Sequence, residues 1–194
     1  MVIGGGTVAE RKVKELLRCQ TKVYLVSPDL TSFLLDLVGS DRIIYYERKF
    51  SKEDLLDKFL VISATGDKSL NALLQQESFE KGFLLNVADQ PDKGNFLVPA
   101  TVRRGRLQIA ISTTGASPLL AKKIRLQLEK EFGPEYERFL DILTDTRKSI
   151  IDNVHEPDKR KEIFQAILDA DIPELLRNGN EAKAKERINQ CLFW

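Results

Sequence analysis

The run Gly4-Gly5-Gly6-Thr7-Val8-Ala9 stands between an apolar scrap, Met1-Val2-Ile3, and a helical pattern from Glu10 to Cys19. Read as Gly4-x-Gly6-x-x-Ala9, it has the residue types that a dinucleotide needs. The first glycine makes a tight turn, the second lets a pyrophosphate approach the backbone, and the small third residue packs helix on strand. The helix that follows turns its free N–H groups and positive dipole end toward the phosphates. A glycine-rich run also serves as a plain loop, so the flanking strand and helix carry the argument. The second apolar strand ends in Val26-Ser27-Pro28-Asp29, where an acidic residue at the tip takes the ribose hydroxyls in many NAD enzymes. Asp29 sits slightly late for that role, with a charge at the next helix start as the equal alternative. Thr65 and Asp67 follow a fourth apolar strand and could also touch a cofactor, although Asp67 equally suits a helix cap. No arginine stands at the tip of strand two to welcome a 2′-phosphate, which favours NAD over NADP.

These residues require a scaffold of alternating strands and helices. Lys22 to Val26 and Ile43 to Tyr46 read as strands. So do Phe59 to Ala64 and Phe83 to Val87, while Pro28-Asp29 opens a helix and Ser69 to Lys81 forms another. Ser51 to Asp54 reads as a capping-box start of a short helix. The alternation predicts an α/β fold with a Rossmann-like parallel sheet, whose ligands bind beyond the carboxyl ends of the strands. The first strand is short, which suggests missing N-terminal residues or a stunted strand. After the polar loop Ala88 to Asn95 the pattern changes. Phe96 to Val102 and Leu107 to Ser112 read as a hairpin around Arg103-Arg104-Gly105-Arg106. Ser117 and Pro118 then start a helix as N-cap and first position. Gly133-Pro134 and Asn153 to Pro157 break the helices that follow, and Ile163, Phe164, Ile167 and Leu168 form an apolar stripe. The expected organisation is a nucleotide-binding domain over 1–96, a hairpin and helices over 97–154, and a C-terminal helical segment over 155–194.

Composition excludes several classes. The chain has 194 residues, 42% of them hydrophobic, with 30 basic and 29 acidic side chains. No global field recruits nucleic acid or an anionic membrane, and no apolar run approaches a membrane span. Cys19 and Cys191 lie at opposite ends of the chain, giving neither a disulfide framework nor a zinc site and pointing to a reducing cytoplasm. The single histidine, His155, falls in a helix break and receives no role.

Three motifs in order, Gly4 to Lys12, Asn86-Val87-Ala88-Asp89, and Ile111-Ser112-Thr113-Thr114-Gly115-Ala116-Ser117-Pro118, resemble the precorrin-2 dehydrogenase family, the N-terminal module of siroheme synthases. The resemblance covers nearly the whole chain. It implies a Rossmann domain, a dimerisation region and helical tail, and NAD-dependent oxidation of precorrin-2 to sirohydrochlorin by a homodimer. It implies NAD contacts at Thr7, Val8, Pro28 and Asp29. With no room for the methyltransferase domain of longer members, it suggests a stand-alone dehydrogenase, served by separate chelatase and methyltransferase enzymes. Bridge oxidation sends a hydride to the nicotinamide and a proton to a base, and the residues alone leave Asp89 and Asp92 as equal candidates. The resemblance selects Asp89. A substrate with eight carboxylates wants positive charge, which Arg103, Arg104, Arg106 and Lys122 offer, while Ser112 and Thr113 offer hydroxyls. Hairpin arginines also serve simply to solubilise an edge. No metal ligand set is expected. A bifunctional dehydrogenase and ferrochelatase is one alternative, and a non-catalytic NAD-sensing module is another.

Overall fold

The computed structural model describes residues 1–192. Phe193 and Trp194, the end of the expected C-terminal segment, lie outside the described residues. The chain divides into two compact units, Met1–Val98 and Pro99–Trp194.

In the first unit, short runs of β-branched, leucine and tyrosine residues form five strands, β1 (Val2–Ile3), β2 (Tyr24–Val26), β3 (Ile44–Tyr46), β4 (Leu60–Ser63) and β5 (Leu84–Val87). They pair in the order β3-β2-β1-β4-β5, and every pairing is parallel. Successive side chains on a strand face opposite ways, so both faces must be apolar when helices cover both. Val2, Leu25 and Ile62 pack on one face with Ala9, Val13 and Leu34, and Ile3, Val26 and Val61 pack on the other with Leu74 and Leu85. The connecting helices are α1 (Thr7–Arg18), α2 (Ser32–Gly39) and α3 (Lys68–Lys81). This is the Rossmann-like sheet, with the order reversing between β1 and β4.

Some elements of this unit differ from the sequence expectation. Helix α2 starts at Ser32, because Thr31 is its N-cap and accepts from the Leu34 amide, while Pro28 and Asp29 stay in a turn. The segment expected as a helix after Ser51 is a 3-10 turn over Lys52–Leu55.

The second unit begins with an antiparallel hairpin, β6 (Ala100–Arg104) and β7 (Leu107–Ile111). Its first strand starts later than Phe96, whose amide instead binds the Leu85 carbonyl of the first unit's edge strand. Arg103 and Arg104 therefore lie in β6, and Gly105 takes the left-handed turn position, with φ +54°. Ser117 and Pro118 start α4 (Pro118–Glu131) as expected, with the Ser117 hydroxyl accepting from the Leu120 amide at 3.2 Å. Helices α5 (Glu135–Asn153), α6 (Pro157–Asp169), α7 (Ile172–Arg177) and α8 (Glu181–Leu192) follow. Phe139 and Ile150 of α5, Ile163 and Ile167 of α6, Ile172 of α7 and Ile188 of α8 share one core. The helical segment expected from 155 onward is thus continuous in packing with α5 as far as Leu192. Glu135 is buried in this unit and receives two nitrogens of Arg177, at 2.9 and 2.7 Å. Burial pushes its carboxyl up, but backbone hydrogen bonding and Arg177 outweigh that and hold it below its ordinary value.

Candidate functional site

The turn after β1 assigns each glycine a separate task. Gly4 has φ +109°, donates its amide to the Val26 carbonyl at 2.9 Å, and could not carry a Cβ, which would lie 2.6 Å from the Ala64 carbonyl oxygen. A Cβ on Gly5 would lie 1.9 Å from the backbone oxygen of Asp29 and 2.8 Å from the Ser27 hydroxyl. The Gly5 carbonyl also accepts from the Thr31 amide at 3.0 Å. Gly5 is therefore where the first turn packs against the turn after β2. The spacing rule uses only the outer glycines of the triplet, so this role was not read from the motif. Gly6 is exposed, and nothing lies within 4 Å of the place where its Cβ would be. It occupies the N-cap of α1 with no side chain capping the helix, and the first helical amide engaged is that of Glu10, on the Gly6 carbonyl at 3.0 Å. Thr7 and Val8 are exposed beside it, and Ala9 is fully buried against the sheet. An open cradle at Gly6 and an uncapped helix start fit a pyrophosphate.

The turn after β2 is braced. Ser27 donates its hydroxyl to the Asp29 carbonyl at 2.8 Å, and the Tyr45 hydroxyl donates to the Ser27 carbonyl at 3.0 Å. Burial, followed by the charges of Glu47 and Asp29, pushes the Tyr45 phenol up, which keeps it a donor. Pro28 and Asp29 are exposed, and the Asp29 carboxylate makes no hydrogen bond or ion pair among the described residues. It is free to accept from a ribose, and with α2 starting at Ser32 it is not part of that helix.

At the end of β4, Thr65 accepts from the Asp67 amide through its hydroxyl at 3.2 Å. Asp67 caps α3, accepting from the Ser69 and Leu70 amides at 2.9 and 3.0 Å, so its carboxylate is engaged in the cap. Below the loop, the buried Ser63 hydroxyl meets the Asn71 side chain at 2.6 Å, and Asn71 reaches the Thr65 carbonyl at 3.4 Å. Sequence reasoning missed this pair. The signal was a polar residue at the end of an apolar strand, with an asparagine inside the next helix.

Asp89 is exposed just past the end of β5, at the same carboxyl edge of the sheet as the turn after β1 and the Thr65 loop. Asp92 lies in a 3-10 turn, Pro91–Lys93, with Pro91 at its start, which fits a turn-forming role.

In the second unit, Arg104 is occupied within the fold. Its guanidinium donates to the carbonyls of Phe132 at 2.8 Å, Glu129 at 3.0 Å and Arg103 at 2.8 Å, so it satisfies carbonyls at the end of α4. Arg103 is half-buried with a buried, unpartnered Nε, and Arg106 is exposed, 3.7 Å from Asp141. The Ser112 hydroxyl accepts from the Thr114 amide and the Thr113 hydroxyl from the Ser117 amide, both at 3.1 Å, leaving each hydroxyl proton to donate. Lys122 is exposed on α4, beside Leu119 and Leu126. His155 is exposed between α5 and α6. Among the described residues, no grouping of His, Cys, Asp and Glu could hold a metal ion.

Family models match three consecutive stretches: an NAD(P)-binding domain over residues 1–100, the sirohaem biosynthesis protein central region over 104–131, and the sirohaem synthase dimerisation region over 135–192. The precorrin-2 dehydrogenase of Priestia megaterium is 31% identical over 169 residues, covering 87% of this chain and 83% of that protein. The chain belongs to the precorrin-2 dehydrogenase family. A solved structure of this family, SirC, precorrin-2 dehydrogenase, superposes with a TM-score of 0.79 at 30% identity, over 100% of this chain and 93% of the other. The siroheme synthase of Thioalkalivibrio sulfidiphilus is 32% identical over 192 residues, and the chain spans 39% of its length. The family thus includes longer proteins that this chain matches in one part. Among the described residues, no helix is long and apolar enough to cross a membrane.

Proposed function

We propose that the chain is an NAD-dependent dehydrogenase that oxidises precorrin-2 to sirohydrochlorin. The observation that carries the reading is the placement, along one carboxyl edge of the parallel sheet, of an open turn at Gly6 that suits a phosphate and a solvent-facing carboxylate at Asp89. The reaction removes two hydrogens from the macrocycle, one as a hydride and one as a proton. NAD, when bound, accepts the hydride. The chain's own residues do the rest. The amides at the start of α1, at Thr7 and Val8, hold the pyrophosphate, with Gly4 and Gly6 shaping the turn. Asp29 takes the ribose hydroxyls, supported by Pro28, and Thr65 borders the cofactor at the end of β4. The absence of a cation at the β2 tip favours NAD over NADP. Asp89 accepts the proton released from the macrocycle.

The carboxylates of the tetrapyrrole find positive charge on Arg103, Arg106 and Lys122 and hydroxyl donors on Ser112 and Thr113. Arg104 supports the hairpin instead of the substrate. The exposed Leu119, Leu120 and Leu126 of α4 support assembly as a homodimer. Unpaired Cys19 and Cys191 fit a cytoplasmic enzyme, working beside separate chelatase and methyltransferase activities. The test is Asp89→Asn, which keeps the shape and removes the base. Turnover should fall at least about 100-fold, the lower range for a lost acid–base group, with NAD affinity unchanged. Retained turnover would contradict the assignment.

A further inference from the structure

Strand β5 is one of the two edges of the sheet, paired with β4 on one side only. Its other side presents unpaired backbone groups, which a fold must cover or satisfy. The loop that leaves β5 does this by folding back along it. The Asn95 side chain accepts from the Leu85 amide at 2.6 Å and donates to the Phe83 carbonyl at 3.0 Å. The Asn95 and Phe96 amides both donate to the Leu85 carbonyl at 3.0 Å. The Asn86 side chain donates to the Phe96 carbonyl at 3.0 Å, leaving its own buried oxygen without a partner. Gly94 lies so close that a Cβ there would be 2.7 Å from the Leu85 oxygen.

The loop closed by this clasp begins with Asp89. Its near end is tied by the Ala88 amide to the Ser63 carbonyl of β4 at 3.0 Å. Its middle is a 3-10 turn, closed by Lys93 and Gly94 amides on the Gln90 and Pro91 carbonyls. The loop is hydrogen-bonded at both ends and across its middle, so the far anchor bears on where the near end lies.

We propose that Asn95 is a positioning residue for the reaction, its side-chain amide standing in for a further strand on β5 and thereby fixing the loop that carries Asp89. The inference rests on the reading of Asp89 as the base. Asn95 makes both bonds only because its amide has an acceptor and a donor on one short stem. Asn95→Ala releases the Leu85 amide and the Phe83 carbonyl to water. Asn95→Asp keeps the acceptor but sets a second oxygen against the Phe83 carbonyl.

The experiment uses the full chain. Anaerobic turnover of precorrin-2, calorimetric NAD affinity and the folded fraction at the assay temperature are measured for Asn95→Ala, Asn95→Asp and Asp89→Asn. Both Asn95 variants should lose about tenfold or more in kcat, as expected for a displaced catalytic group. NAD affinity and folded fraction should stay at the parent values, and the acid limb of the pH–rate profile should move. Unchanged kcat in Asn95→Ala, or a loss that follows the folded fraction, overturns the inference. An inactive Asp89→Asn beside a fully active Asn95→Ala overturns it while sparing the base assignment. An active Asp89→Asn overturns both.

Discussion

Adding one methyl group at Gly6 or at Gly5 should have opposite consequences. Gly6 has φ −82° and ψ −173°, a conformation open to any residue, and its Cβ would enter empty space. Gly6→Ala gains about 0.4–1 kcal/mol by restricting the unfolded chain. It loses about 0.5 kcal/mol or more because alanine is a poor N-cap. The net effect on stability is close to zero. The methyl does occupy the space through which a phosphate approaches the free amides, and NAD affinity should fall at least tenfold, about 1.4 kcal/mol. Gly5→Ala drives a Cβ to 1.9 Å from the Asp29 carbonyl oxygen, a backbone atom that cannot rotate away. The two turns must separate and break the Thr31–Gly5 bond, at a cost of about 3 kcal/mol, the upper range for overpacking. Thermal melting and calorimetric NAD titration of both variants decide the matter. A Gly6→Ala protein that binds NAD normally, or a Gly5→Ala protein with an unchanged melting temperature, would refute the reasoning.

Arg104→Lys should destabilise the protein by about 1–3 kcal/mol, because a single ammonium nitrogen does not reproduce the two separate guanidinium nitrogens, Nε and Nη2, that reach the Phe132 and Glu129 carbonyls. NAD affinity should be unchanged, and an unshifted melt with a raised KM for the tetrapyrrole would instead make Arg104 a substrate contact. Glu77 is buried between Lys52 at 2.8 Å and Lys81 at 2.9 Å, and hydrogen bonds from these two hold its carboxyl below its ordinary value of 4.5. Its stabilisation is therefore present above that value and disappears as the pH falls through the depressed folded one. The melting-temperature gap between the parent and Glu77→Gln should be largest near neutrality and close in acid, and a gap independent of pH would contradict this pairing.

The amino-acid pattern made the nucleotide-binding half legible, because alternating apolar strands and punctuated helices pack as a parallel sheet covered by helices, and the glycine turn after the first strand points to the dinucleotide-binding version. Asp67, Ser117 and Pro118 were readable as caps, since capping depends on residues adjacent in sequence. What escaped depends on contacts distant in sequence. Gly5 is needed because the Asp29 turn packs against it, while Pro28 and Asp29 stay outside α2 because Thr31 caps that helix. Phe96 looked like a strand start because it is apolar, but Asn95 turns the chain back along β5 first. Arg104 looked like a free hairpin cation until α4 brought the Phe132 carbonyl to it. In the last part of the chain, α7 spans only Ile172–Arg177, too short for its periodicity to separate it from its neighbours.

The central claim is tested most directly by anaerobic absorbance spectroscopy of the purified protein with precorrin-2, with and without NAD. The account predicts sirohydrochlorin formation, with matching production of NADH, only when NAD is present. NAD binding without any conversion of precorrin-2 would contradict it and leave a nucleotide-sensing module as the better description.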